Sequence, residues 1–224
     1  MKKHIINFSI TAALFVVFAV FTIIAKFVDT SLVLTTNTKI GLSSINKPIF
    51  DSIKISDAWG TVSTVLFLVA ALVALALIVI GVKEFIKTKQ LSKVNHKILF
   101  LIGLYMLTVF FYFLFEILIV NYRPLLDEGL AKASYPSSHT LLVCVVCLSA
   151  CFVVPDYIKN KPLKITIISL LILISLLTPV TRMLAGMHWF SDIIGSLLLS
   201  AALVMCYYST TCLVKKSNTE KTPN

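Results

Sequence analysis

Six long apolar stretches, at 7–28, 59–82, 98–120, 138–157, 163–182 and 189–213, alternate with polar segments along the 224-residue chain. An α-helix needs about 20 apolar residues to cross a hydrocarbon core of about 30 Å, and each stretch is near that length. The pattern predicts an all-α integral membrane bundle of six transmembrane helices, one domain over 1–216. The polar tail 217–224 is expected to be disordered and cytoplasmic. The first stretch follows Met1-Lys2-Lys3, as the core of a signal peptide would. It is long for such a core and no small-x-small cleavage site follows, so a retained helix is expected. Pro155 falls near the end of the fourth stretch and blurs that boundary. The first loop, about 29–58, alternates apolar and polar residues around Ile40–Trp59 and is expected to lie along the outer interface.

Composition agrees. The chain is 58% hydrophobic and 13% charged, with a mean hydropathy of +0.95, where soluble domains are nearer 45–50% apolar and about 25% charged. The net charge of +10 does not mark a nucleic-acid binder, because the lysines sit in short runs between apolar stretches, as loop charge does in membrane proteins. Thirteen of the 20 Lys and Arg residues lie at the N-terminus, in the second and fourth loops and in the tail. By the positive-inside rule both termini are expected in the cytoplasm, and the first, third and fifth loops outside. The five cysteines, Cys144, Cys147, Cys151, Cys206 and Cys212, all fall inside apolar runs. They read as helix packing rather than as a disulfide framework or a metal site. Trp59, Trp189, Tyr122 and Tyr135 lie near outer helix ends and read as interfacial aromatics, and Asp127 and Glu128 as solvated loop residues.

Three segments concentrate the chemistry on the outer side. The only two arginines are there, Arg123 in Asn121-Tyr122-Arg123-Pro124 and Arg182 in Thr181-Arg182. Arginine grips phosphate with a planar fork that lysine lacks, although either one alone reads equally as an interfacial cation. Tyr135-Pro136-Ser137-Ser138-His139 opens the fourth helix. Its hydroxyls and first-turn N–H groups suit an anion, and a plain helix cap followed by a histidine is the simpler alternative. Gly186-Met187-His188-Trp189-Phe190-Ser191-Asp192 opens the sixth helix, with His188 and Asp192 four apart on one face. A carboxylate on one imidazole nitrogen fixes the tautomer and makes the other nitrogen the better base or nucleophile, and a surface His–Asp pair would look the same. Two spans separate the third loop from the fifth, so all of these residues face one side. Together they make a phosphate pocket with a nucleophile and an acid.

In order and spacing, Arg123-Pro124, Pro136-Ser137-Ser138-His139 and Thr181-Arg182-x5-His188-x3-Asp192 resemble the type 2 phosphatidic acid phosphatase family, which shares its site with vanadium haloperoxidases. The resemblance covers 116–192. It implies that His188 attacks phosphorus and forms a phosphohistidine, that Asp192 orients His188, and that His139 protonates the leaving oxygen. Arg123, Arg182 and Ser137 are implied to bind the phosphoryl oxygens, with the main-chain N–H of Ser138 as a helper. The family needs no metal, and no cofactor is implied.

Three positions depart from the family pattern: Ser138 stands for Gly, Thr181 for Ser, and Glu116 for the Lys seven residues before Arg123. The first two are mild. Glu116 repels phosphate where Lys would attract it, and a bare charge in an apolar run costs about 2.5–3.5 kcal/mol at a helix centre. It is therefore expected to be neutral, paired or beside the water-filled pocket, orienting an arginine or meeting a part of the substrate other than phosphate. The expected activity is hydrolysis of a lipid phosphate or pyrophosphate at the outer face: an isoprenoid pyrophosphate first, then phosphatidic acid or phosphatidylglycerol phosphate. A lipid-linked phosphotransferase and a non-catalytic lipid-phosphate binder or transporter are the alternatives.

Overall fold

The computed structural model describes residues 2–126 and 129–220, so the expectations for Asp127, Glu128 and tail residues 221–224 fall outside it. The six spans are α1 (Lys2–Phe27), α3 (Asp57–Thr88), α4 (His96–Leu118), α5 (Ser138–Tyr157), α6 (Lys161–Leu184) and α7 (Phe190–Glu220). Each contains a segment long and apolar enough to cross a bilayer. Pro155 does not end α5, which continues to Tyr157. The chain is an all-α membrane bundle of six transmembrane helices.

The centre is α5, which packs against α3, α4, α6 and α7, while α1 lies along the outside of α7. Its most apolar window is 56% buried, against 11% for α3. The cause is side-chain size. Thr140, Cys144, Cys147, Ser149 and Ala150 are all buried on α5, and small residues let membrane helices approach closely. All five cysteines are free, and the Cys144 thiol donates to the Ser175 carbonyl of α6 at 3.5 Å. At the lysine-rich end, Lys97 pairs with Asp156 at 2.8 Å and Tyr157 Oη donates to Glu84 Oε1 at 2.8 Å, joining α3, α4 and α5.

At the other end the first loop folds back on the bundle. Ser31–Val33 (β1) and Thr38–Ile40 (β2) form an antiparallel hairpin with Ser31 opposite Ile40, and α2 (Ser43–Ser52) follows. Asp29 secures the start of α2 by accepting bonds from Ser44 N at 2.7 Å and from the Ser43 and Ser44 hydroxyls. These bonds hold its carboxyl below the usual range. The loop has a buried underside, with Ile40 and Asn46 almost wholly covered.

Two aromatic residues differ from the sequence expectation. Trp59 is exposed, but Tyr135 and Trp189 are 2% and 3% exposed. The Tyr135 ring stacks on Phe18 and meets Phe115 edge-on, and its hydroxyl bonds Thr22 at 2.7 Å. The indole of Trp189 donates to the Tyr122 carbonyl at 2.7 Å and packs against Phe50 of α2. Each has its polar atom satisfied inside the protein, so neither needs the interface.

The hydroxyl end of the Tyr135 ring lies against Gly195 of α7, where an added Cβ falls inside contact distance of the ring. Gly195→Val is expected to displace Tyr135 and to destabilise the protein by about 1–3 kcal/mol, the usual range for overpacking. A lower melting temperature in detergent checks this.

Candidate active site

The ends of α4, α5, α6 and α7 converge under the folded first loop. Gly186 makes the turn from α6 to α7 with φ of 67°, a left-handed conformation suited to glycine, and the Ile55 side chain packs where a Cβ would project. That turn delivers His188 and Asp192 to the centre, 2% and 0% exposed.

The Asp192 carboxylate accepts three hydrogen bonds. Its Oδ1 accepts from Asn121 Nδ2 at 3.1 Å, and its Oδ2 from the Trp189 N–H at 3.0 Å and from the Ser134 hydroxyl. His188 Nδ1 lies 3.0 Å from the Ser134 carbonyl and 3.2 Å from its Oγ. The carbonyl can only accept, so Nδ1 carries the proton. Nε2 then keeps its lone pair, which accepts from Arg182 Nη2 at 3.1 Å. Asp192 Oδ2 is 3.8 Å from Nδ1, so the expected direct bond between carboxylate and imidazole is replaced by one through Ser134. Burial pushes His188 below the ordinary value of 6.5; Arg182 and Arg123 push the same way and Asp192 opposes them.

The other predicted residues gather around this core. Arg182 is 3% exposed, and its Nε has no hydrogen-bond partner among the described residues. Arg123, Glu116, Ser138 and His188 line one cleft together with Ser134, Tyr135 and Pro136. His139 is half-buried with its ring 4.7 Å from that of Phe67 on α3, and is close enough to Arg182, His188 and Arg123 to feel their charge. Ser137 is the N-cap of α5, but its hydroxyl makes no cap bond and donates to Thr140 at 3.1 Å. The Ser137 side chain is thus buried and turned inward, against the first turn of α5. Glu116 is not at a helix centre. It sits exposed in the last turn of α4, on the cleft wall, with no hydrogen bond or ion pair among the described residues.

The PAP2 superfamily profile matches residues 64–214. The chain belongs to the PAP2 superfamily. All three signature segments lie within the match, whereas the first loop precedes it. A crystal structure described as the first transmembrane PAP2 type phosphatidylglycerolphosphate phosphatase from Bacillus subtilis shares the fold. Its TM-score is 0.61 at 18% identity, covering 92% of this chain and 96% of that one. No curated protein matches the sequence. This PAP2 chain therefore has the fold of a family of membrane phosphatases.

Sequence reasoning missed Ser134, Asn121 and Asn46. Asn121 accepts from Gly41 N at 3.2 Å, and Asn46 of α2 donates to Ser191 Oγ at 2.9 Å and to the Gly41 carbonyl at 2.8 Å while accepting from Ser191 N at 2.9 Å. The first loop thus bonds to the residues flanking Asp192. The signal available was Asn121 itself, a polar residue next to an apolar run and two positions from Arg123.

Asn46→Ala leaves the Ser191 N–H and the Gly41 carbonyl unpaired, at about 1–3 kcal/mol per buried group. A clear fall in melting temperature is expected, with little change for the exposed neighbour substitution Ile45→Ala, measured side by side in detergent.

Proposed function

We propose that this protein is a lipid phosphate phosphatase that works through a phosphohistidine on His188. The observation that carries the reading is the geometry of that imidazole: Nδ1 is held by the Ser134 carbonyl, and Nε2 faces the Arg182 guanidinium with its lone pair directed at it. Phosphoryl transfer asks mainly for such positioning and for charge stabilisation.

The reaction has two steps. Nε2 of His188 attacks phosphorus as the bond to the leaving oxygen breaks, and His139 gives that oxygen a proton. Arg182 turns from the ring nitrogen to the phosphoryl oxygens, where its uncommitted Nε adds a second donor. Arg123 and the first-turn N–H of Ser138 neutralise the remaining charge from the cleft wall. Water then attacks the phosphohistidine, His139 takes its proton, the N–P bond breaks and inorganic phosphate leaves. No metal takes part. Ser137 supports the turn rather than the phosphate while its hydroxyl stays on Thr140.

The site end is extracytoplasmic and both termini are cytoplasmic in this reading. Its support is Lys83, Lys87, Lys89, Lys93, Lys97, Lys159, Lys161 and Lys164, all at or near the opposite helix ends. An outward site suits an isoprenoid pyrophosphate, with phosphatidic acid as a rival. The Bacillus subtilis protein of like fold is named for phosphatidylglycerolphosphate, so that lipid belongs in the comparison.

The deciding experiment is phosphate release by the purified protein in detergent from these three lipids, with His188→Ala beside it. Release that persists in chelator and falls by at least about a thousandfold in the variant is expected, as for loss of a nucleophile. The acid limb of kcat/KM should lie below pH 6.5, because the shift of His188 is downward and the ring therefore stays neutral and nucleophilic to lower pH.

Glu116 bears on the choice of lipid. An unpaired carboxylate beside Arg123 repels phosphate but accepts from a hydroxyl on the head group. Glu116→Leu, which removes the acceptor, is expected to raise KM for phosphatidylglycerol phosphate about three- to tenfold relative to phosphatidic acid, the worth of one hydrogen bond. Equal changes on both lipids would assign Glu116 to the phosphate alone.

A further inference from the structure

His188 and Asp192 are one helical turn apart, yet the carboxylate does not reach the ring. Asp192 Oδ2 is 3.8 Å from Nδ1, beyond hydrogen-bond range. Ser134 occupies the gap. Its carbonyl is 3.0 Å and its Oγ 3.2 Å from Nδ1, and its hydroxyl donates to Asp192 Oδ2. Ser134 and His188 are each 2% exposed.

We propose that Ser134 is a positioning residue for His188, joining it to Asp192 so that carboxylate, hydroxyl and imidazole act as one chain. For its kinetics this rests on the phosphatase reading above. The carbonyl of Ser134 accepts the hydrogen bond from Nδ1–H and fixes the tautomer. The hydroxyl hydrogen points to the carboxylate, so an oxygen lone pair points back toward Nδ1. When Nε2 gains phosphorus the ring becomes cationic, and an acceptor already polarised by Asp192 faces the strengthened Nδ1–H. No proton changes owner along the chain.

The backbone around Ser134 is built for this. Its N–H donates to the Asn121 carbonyl at 2.9 Å, and Tyr122 pairs with Ala133 as an antiparallel bridge. Asn121 also donates to the other oxygen of Asp192. Two neighbouring strand-like segments therefore present one donor to each carboxylate oxygen.

The charged and titratable groups around His188 are Arg182 from α6, Arg123 and Glu116 on the cleft, His139 from α5 and Asp192. Ser134→Ala removes a bond to only one of them, Asp192. With one donor fewer, the carboxylate presents more of its charge to the ring, so the proton affinity of His188 rises.

The test compares Ser134→Ala and Ser134→Thr with the parent chain and with His188→Ala. In Ser134→Ala, kcat is expected to fall about tenfold or more, the usual effect of removing an orienting partner, with KM nearly unchanged and the acid limb of kcat/KM moved to higher pH. Ser134→Thr keeps the hydroxyl and restores most of kcat. Unchanged kcat and acid limb in Ser134→Ala overturn the proposal, as does a Thr variant as slow as the Ala variant with a parental melting temperature. If the parent chain releases no phosphate from any lipid, the phosphatase reading fails by itself. The pH dependence of diethyl pyrocarbonate labelling at His188, followed by mass spectrometry, then decides: an upward midpoint shift in Ser134→Ala supports the relay and an unmoved midpoint refutes it.

Discussion

A carboxylate buried at the end of a membrane bundle must be satisfied by the protein, because a bare charge removed from water costs several kcal/mol. Asp192 is 0% exposed, and the local chain is arranged to meet that demand. One donor comes from its own turn, one from the segment after α4 and one from the segment before α5. Its backbone carbonyl is used as well, accepting from Ser196 Oγ at 2.8 Å and from Ser137 N at 3.3 Å. Asp192 is thus where α7, the start of α5 and the segment after α4 meet, and His188 and Arg182 are held in register with it. Structure and chemistry have the same anchor: the bonds that keep the charge buried also keep the imidazole aimed.

This anchor needs a close-packed bundle beneath it. Thr140, Cys144 and Cys147 are small and buried on α5, so α6 and α7 pack closely against it, and the Gly186 turn between them brings Arg182 to His188. The polar bonds at the lysine-rich end close the opposite side, with Lys97 tied to Asp156 and Tyr207 Oη donating to the Lys97 carbonyl. Between those two polar ends the contacts are mainly apolar and lipid replaces water outside, so precision at the site depends on packing of small residues rather than on hydrophobic drive.

The spans were legible because a bilayer demands a minimum length and one polarity of every helix, and each span covers most of its expected stretch, with α3 and α7 running further, to Thr88 and Glu220. Arg123, His139, Arg182, His188 and Asp192 stood out as candidates because both arginines and two of the four histidines fall in three short segments on one side of the bundle. Ser134 and Asn46 were not. A serine or an asparagine in a loop is ordinary in sequence, and only the folded chain brings Ser134 between His188 and Asp192, or Asn46 to Ser191 across 145 positions. Trp189 and Tyr135 were misplaced for a related reason. An aromatic near a helix end fits the interface equally well, and what decides is whether its polar atom finds an internal partner, as both do.

The first loop takes part in the same anchoring. It precedes the span matched by the PAP2 superfamily profile, yet its Gly41 and Asn46 bond directly to Asn121 and Ser191. A residue one bond removed from Asp192 therefore depends on a segment with no counterpart in the signature motifs. Under pure packing the loop would be a lid that any apolar cover could replace. Asn46 is instead 0% exposed, with both amide atoms committed to backbone and hydroxyl partners. Such a buried amide tolerates only one register. The loop thus fixes the rotation of the first turn of α7 from outside, while Ser134 and Asn121 fix it from within.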